Sequence, residues 1–404
     1  MERSAVASVF MDQLAESYKR KFGSAPTRAV RSPLRICPLG AHVDHQDGIV
    51  SGMALTDSVD LVYSTEEDGY LRVQSLDFPD EEYFHVDQVP DMVPTFWGNY
   101  LRGAVRSLSR SYKLHRGIRG VVRGKLPIGG LSSSAAVTTA YLMALCDVNE
   151  IELEPRDLID YSHWVETDFI GLNNGILDQS ANILSRDGHL MVMDCRTEEF
   201  EMVPRSSEMP EFDVIIVYSG ISTTLIKTDY NNRVDECKVA AWLLQELGGL
   251  PVSPFREAQL RDIPREVYRE RADALPGRFR RRADHYFGEI ERVNAGVEAW
   301  RRGDIEELGR QIFASGRSSI EKYESGCPEL ITIYETLAES EGVYGARFSG
   351  AGYRGCCIGL VDPAYRESIA ARIDAVYPRE HPEFKDHYRV FFSRTDDGAR
   401  VLQL

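Results

Sequence analysis

Leu126-Pro127-Ile128-Gly129-Gly130-Leu131-Ser132-Ser133-Ser134-Ala135-Ala136 is the stretch on which the fold turns. A proline and two glycines lead into three serines, and the small residues from Ser132 to Leu145 read as a largely buried helix. Glycines let backbone N–H groups come close to an anion, and the start of a helix adds unpaired donors and a positive dipole end. The hydroxyls of Ser132, Ser133 and Ser134 can donate to phosphate oxygens, and one of them can bind Mg2+. The common GxxxxGK[ST] phosphate loop is absent. A glycine turn with an N-capping serine is the plainer reading. Three consecutive serines after such a turn point instead to a nucleotide.

Working outward, Gly117–Val122 reads as a strand feeding this loop, and residues 156–170 as a second helix behind it. Upstream, apolar residues at helical spacing (Val6, Phe10, Leu14, Tyr18) predict a helix over 4–22. Short strands then follow at Leu61–Tyr63, Leu71–Val73 and Tyr83–Val86, with turns at Asp47-Gly48 and Asp68-Gly69. Downstream, strands are expected at Leu190–Met193 and Val214–Val217. Long charged helices are expected at Asn232–Leu247, His285–Arg302, Asp304–Ala314 and Glu329–Ser340, and a strand–turn–strand at Ala346–Leu360. The Pro- and Arg-rich stretch 251–281 reads as a loop-heavy, solvated excursion. Strands mixed with helices in both halves predict an α+β protein of two lobes, 1–208 and 209–404, with mixed sheets, helices packed on them and the active site in the cleft between.

With 404 residues, 43% of them hydrophobic and 27% charged, the chain has the composition of a globular protein large enough for two cores. Its 63 acidic and 47 basic side chains give a formal charge of −16, which disfavours a nucleic-acid or anionic-membrane partner. Any phosphate site must then be built locally, from amides, a helix end and a few chosen cations. Seven cysteines, an odd count with no CxxC pair, argue against a disulfide scaffold or a zinc site and fit a reducing cytoplasm. Met1 to Lys21 has no apolar core of a secretory signal, and no apolar run is long enough to span a bilayer. A soluble cytoplasmic protein, monomeric or weakly dimeric, is expected.

Two further segments concentrate chemistry. Asp178 and Gln179 interrupt an apolar stretch (Ile176, Leu177, Ala181, Ile183, Leu184) just after a glycine-bearing turn at Gly175, and a buried carboxylate needs a partner. A placed carboxylate can orient a hydroxyl and accept its proton during phosphoryl transfer. Glu166, on the preceding helix, can hold Mg2+; seen alone, either carboxylate reads more often as structural. Near the N-terminus, Arg35-Ile-Cys-Pro-Leu-Gly-Ala-His-Val-Asp-His-Gln-Asp-Gly48 crowds polar groups around Gly40 and Gly48. No second ligand cluster accompanies its HxDH, so the segment suits sugar hydroxyls better than a metal cage.

In this order the segments resemble the GHMP kinase superfamily and, within it, the galactokinase-like branch. Arg35–Gly48 is similar to the galactokinase signature, Pro127–Ala136 to the family's ATP loop, and Gly175-Ile-Leu-Asp-Gln179 to the stretch holding its catalytic aspartate. Asp194-Cys-Arg196, Tyr230-Asn-Asn-Arg233 and Gly345-Ala-Arg-Phe-Ser-Gly-Ala-Gly352 continue the match, which runs from about residue 32 to 360. The resemblance implies that Asp178 is the base or orienting carboxylate, with Arg35 beside it holding it ionised. Pro127, Gly129, Gly130, Leu131, Ser132, Ser133, Ser134 and Ala135 would cradle ATP, Trp97 would flank the adenine, and Ser134 and Glu166 would bind Mg2+. Ala41, His42, Asp44, Gly175 and Tyr230 would line the sugar, and Ser349, Gly350, Ala351 and Gly352 would close on the site.

The departures from the pattern concern the substrate. Galactokinases carry glutamate at the position of Ala41, where it meets the sugar's C6 hydroxyl; alanine removes that charge and makes room for a C6 carboxylate. Arg354 stands where the family usually has glycine, and its cation can either aid a uronic acid or serve packing. Gly316 replaces a common histidine, and the ATP loop is one residue shorter. The wording around Ala41, Asp178 and Arg354 is similar to the galacturonokinases of plants. The resemblance therefore implies ATP-dependent phosphorylation of galacturonate at C1, with galactose as the alternative acceptor and a non-catalytic sugar and ATP sensor as the alternative of another class.

Overall fold

The computed structural model describes residues 2–126, 129–172, 174–221 and 229–404, the first few (2–9) by backbone alone. Helix α1 (Glu2–Phe22) presents Met11, Leu14 and Tyr18 on one face, and these bury against Ala29, Val62 and Val121 of the sheet beneath. That sheet is built from β1 (Arg28–Ile36), the 18-residue β2 (Ile49–Glu66), β3 (Tyr70–Ser75) and β4 (Glu81–His85). Helix α2 (Asn99–Leu108) then leads to β5 (Gly117–Gly124). Strand order is β4-β3-β5-β2-β1, antiparallel except for the parallel pair β3–β5. The sequence pattern marks only Leu61–Tyr63 of β2 as strand. Nearly all of β2 is buried, so the alternation that marks a half-exposed strand is missing.

Helices α3 (Ser133–Val148), α4 (Pro155–Trp164) and α5 (Leu177–Leu184) follow, and then β6 (His189–Asp194) and β7 (Phe200–Pro204), which extend the sheet from β2. The helix expected over 156–170 is regular only to Trp164; Val165–Ile170 forms a wider i→i+5 turn. Such turns re-aim side chains, and this one carries Glu166.

The second sheet has β8 (Asp213–Tyr218) at its centre. After it come α6 (Tyr230–Leu247), α7 (Arg265–Arg271), α8 (Gly277–Arg302), α9 (Ile305–Ser318) and α10 (Pro328–Ala338). The chain returns through β9 (Val343–Ser349), β10 (Cys356–Val361), α11 (Arg366–Glu380) and β11 (Arg389–Ser393), giving the order β11-β8-β10-β9. The sheets change at the turn between β7 and β8. The last residues, however, cross back: β12 (Thr395–Asp396) pairs with β2, and β13 (Arg400–Gln403) takes the edge beside β1. One apolar core spans both lobes, joining Ile36 and Leu39 to Val297, Trp300, Ile312 and Ile358.

Stretch 251–281 is not the solvated excursion its composition suggests. Ala258, Leu260, Ile263, Ala272 and Leu275 are buried, and the amide of Leu260 donates to Gln46 of the Arg35–Gly48 segment at 3.0 Å. Its charged residues face outward around this apolar spine.

Candidate active site

The end of β1, the start of α3 and the start of α5 meet at one point. Arg35, 4% exposed, aims Nε and Nη2 at Oδ1 of Asp178, at 2.8 and 2.7 Å. The second oxygen of Asp178 accepts from the hydroxyl of Ser132. Ser132 is the N-cap of α3, with φ of 55°, and its hydroxyl makes no capping bond because it is committed to the carboxylate. Of the serines expected to meet phosphate, this one points its side chain at the carboxylate of Asp178 instead. Ser134 lies near enough to Glu166 to work against the rise of its pKa. Leu131 and Ala135 are buried and can offer only backbone, and the carbonyl of Leu131 is already taken by the amide of Arg35 at 3.2 Å. Pro127 lies outside the described residues.

Glu166 is 1% exposed. One oxygen accepts from Asn174 at 2.6 Å and Gln179 at 2.7 Å; the other is buried without a partner, as are the side-chain oxygens of Asn174 and Gln179. Burial first, and then the charge of Asp178, raises the pKa of Glu166. Several hard oxygens without donors, beside a serine hydroxyl and near a second carboxylate, make a donor set that fits a magnesium ion.

Across from Asp178 lies the sugar-loop segment. Asp44 sits over Gly175, where a Cβ would stand 2.6 Å from its Oδ2, so only glycine lets this carboxylate in. Burial and the neighbouring Asp178 push Asp44 up to about 6. Tyr230, at the start of α6, is close enough for Asp44 and Asp178 to raise its pKa after burial has done so. His42 stacks on Tyr323 with ring centroids 4.1 Å apart, and burial followed by His285 and Arg347 holds it well below its usual pKa. Asp178, Arg35, Asp44, Tyr230, Gly175 and the serines are thus brought together. Trp97 stands apart from them before α2, its Nε1 donating to the carbonyl of Pro79 at 2.9 Å.

Helix α8 supplies a group that the sequence did not disclose. Glu289, fully buried, accepts the amides of Gly40 (2.9 Å) and Ala41 (3.0 Å) and the hydroxyl of Ser315 (2.6 Å), and pairs with Arg292 at 2.7 Å. One turn earlier His285 bonds the carbonyl of Ala41 at 2.8 Å. The sugar loop is therefore clamped at both of its backbone polarities. The spacing 285, 289, 292 is a helical face, but in a charged helix it reads as solvated.

From the second lobe, Ser349 donates to the carbonyl of Gly130 at 2.6 Å, an oxygen that also receives Nη1 of Arg35 at 3.1 Å. The turn containing Gly350, Ala351 and Gly352 follows directly, and Gly350 packs on Gly130. Gly316 faces the ring of Tyr334 in the second lobe's core, not the cleft. Arg354 lies against Gly129, on the phosphate-loop side.

Comparison with known proteins gives this geometry a family. The GHMP kinases N terminal domain matches residues 99–186, the GHMP kinases C terminal domain matches 297–379, and the galactokinase galactose-binding signature matches 16–65. The galacturonokinase of Arabidopsis thaliana is 40% identical over 399 residues, covering 93% of each chain. The chain belongs to the GHMP kinases. Human galactokinase is 30% identical to this GHMP kinase over 418 residues, covering 100% of this chain and 99% of its own. The crystal structure of Lactococcus lactis galactokinase complexed with galactose matches it with a TM-score of 0.88 at 26% identity, over 97% of this chain and 99% of that one. ATP is the phosphoryl donor of such kinases, and this one is a sugar kinase of the galactokinase-like branch. No helix among its described residues is long and apolar enough to cross a membrane.

Proposed function

We propose that this kinase transfers the terminal phosphate of ATP to the anomeric hydroxyl of D-galacturonate, giving the 1-phosphate and ADP. The observation that carries the reaction type is the carboxylate of Asp178, held by Arg35 and Ser132 at the mouth of the glycine-serine loop. Both of its oxygens are engaged, which fixes its direction. A hydroxyl approaching it is held in line rather than stripped early, which suits a loose phosphoryl-transfer transition state. Arg35 offsets negative charge building between nucleotide and acceptor. Ser134 and Glu166 would hold Mg2+, which neutralises phosphate charge when bound.

Support for the uronate comes from Ala41, from the 40% identity to a galacturonokinase and from the charges around the sugar loop. Ala41 is small, buried and held by Glu289 and His285, so it adds no charge towards the cleft. Arg347, beneath the same loop with Nη1 on the carbonyl of Cys37 at 2.9 Å, sets a positive charge near His42. Such a field favours an anionic substituent at C6. The chain's cysteines are free thiols, in keeping with a cytoplasmic enzyme, and we place it there as a monomer or weak homodimer.

The test is an ADP-coupled assay across galacturonate, galactose, glucuronate and N-acetylgalactosamine. Galacturonate should give the highest kcat/KM, and a clear preference for galactose would retire the uronate reading. Ala41→Glu should lower kcat/KM for galacturonate on the order of 100-fold, since like charges brought together cost several kcal/mol, while galactose loses far less. Equal losses on the two sugars would count against the role of residue 41.

A further inference from the structure

Arg354 sits on the second-lobe turn between β9 and β10, and its guanidinium lies on the phosphate loop of the first lobe. A Cβ built on Gly129 would stand 2.7 Å from its Nη1 and 3.6 Å from its Cζ, so the glycine leaves the space that the guanidinium fills. Its Nε is shut off from solvent with no hydrogen-bond partner, and among the described residues no carboxylate pairs with it. The groups whose charges bear on it are two phenols, Tyr100 from α2 and Tyr218 at the end of β8.

Of the other buried arginines, Arg347 donates to the carbonyls of Cys37 and Phe348, and the rest sit on carboxylates. Arg31 sits on Asp60, Arg35 on Asp178, Arg102 on Glu82 and Arg282 on Glu236 and Glu324. A half-buried guanidinium with no anion is costly to keep unless an anion arrives to pair with it. A surface carrying a net charge of −16 makes the placement of that cation over a glycine-serine loop more telling. The sugar's C6 substituent is the wrong anion. The cations that bear on His42, Asp44 and Glu289 are Arg347, Arg35 and Arg292, and Arg354 is not among them.

We propose that Arg354 is a nucleotide-binding residue that pairs with the phosphates of ATP from the second lobe, closing the loop of Gly129 to Ala135 from above. The planar fork of arginine suits phosphate oxygens bidentately, and the unpaired Nε supplies one arm of that fork. The inference rests on the kinase reading but not on the identity of the sugar.

Arg354→Gln and Arg354→Lys, made in the full chain, test it by two measurements. Calorimetric titration with adenosine, ADP and ATP in Mg2+ buffer should show adenosine affinity unchanged within about twofold. ADP and ATP should weaken about tenfold in the glutamine variant, the usual loss of one charge-assisted hydrogen bond, and less in the lysine variant. Steady-state kinetics should show the same rise in KM for ATP, with KM for the sugar within about twofold. The proposal is overturned if ATP and ADP bind both variants as they bind wild type. It is equally overturned if adenosine weakens as much as ATP, which would place the guanidinium on the base, or if the sugar's KM rises instead. The titrations need no sugar, so failure of galacturonate as a substrate would sink the substrate reading and leave the role of Arg354 untouched.

Discussion

Asp44 and Asp178 are two neighbouring carboxylates with different surroundings. Asp178 has Arg35 and Ser132; Asp44 has burial and a like charge, which lift it from 3.8 to about 6. In the free protein Asp44 therefore keeps a proton that the unfolded chain would release between about pH 4 and 6. Its contribution to stability is present below that window and is lost as the pH rises through 6. Sugar hydroxyls donate best to the ionised form. Sugar affinity measured without nucleotide, which keeps phosphate titration out of the reading, should thus tighten as the pH rises from 5 to 7. In Asp44→Asn affinity should be weaker and flat over the same range, and a flat wild-type profile would remove Asp44 from the sugar site. At this scale the sequence is informative where polarity interrupts an apolar run, as at Asp178 and Gln179. It is silent on direction: nothing in three consecutive serines tells which hydroxyl turns to the carboxylate and which to Glu166.

Helix α8 shows how an element can matter more to a site than the loop it supports. The buried face with His285, Glu289 and Arg292 fixes Gly40 and Ala41, so the sugar loop is positioned by a helix of the other lobe. Burial alone would raise the pKa of Glu289, but Arg292, His285 and Arg347 outweigh it and hold it at about 2. A depressed carboxylate stabilises the fold fully above its unfolded value of 4.5, and that stability is lost as the pH falls towards 2. Glu289→Ala should cost about 3–5 kcal/mol in urea unfolding at neutral pH, because two buried amides and the hydroxyl of Ser315 lose their acceptor and Arg292 its counter-charge. Glu289→Gln should lose less further stability than wild type between pH 4.5 and 2.5; superimposable acid curves would mean that the carboxylate carries no charge in the fold. The sequence shows α8 as a long charged helix and stops there. Which charges turn inward depends on a partner some 245 residues away, and periodicity carries no such information. The same limit explains 251–281, where five apolar residues among many charges form a buried spine.

For the whole molecule, the two lobes are one object: besides the shared apolar core and the clamp from α8, two further ties join them. One tie is polar and lies in the cleft, where the hydroxyl of Ser349 and the guanidinium of Arg35 share the carbonyl of Gly130. The other is a strand: after completing the second sheet the chain returns, and β13 covers β1 over four residue pairs, Arg28 with Gln403 to Arg31 with Arg400. The two-lobed architecture could be read from mixed strands and helices in both halves. This return could not, because Arg400–Gln403 is too short to mark a strand, and pairing across about 370 residues leaves no local trace. It has a physical purpose that can be tested. Without β13, strand β1 would become an edge with a row of unpaired backbone groups, buried on its faces and open to a second chain. Its far end carries Arg35, so loosening there reaches Asp178. A chain ending at Ser393 should melt on the order of 5–10 °C lower than the full chain, since several kcal/mol of pairing and packing are removed. On size exclusion it should shift towards larger species as protein concentration rises, and its kcat should fall along with its stability. An unchanged melting temperature and elution volume would mean that β1 needs no cover, and that the C-terminal return is an ornament of the fold rather than the clasp that keeps β1 in register.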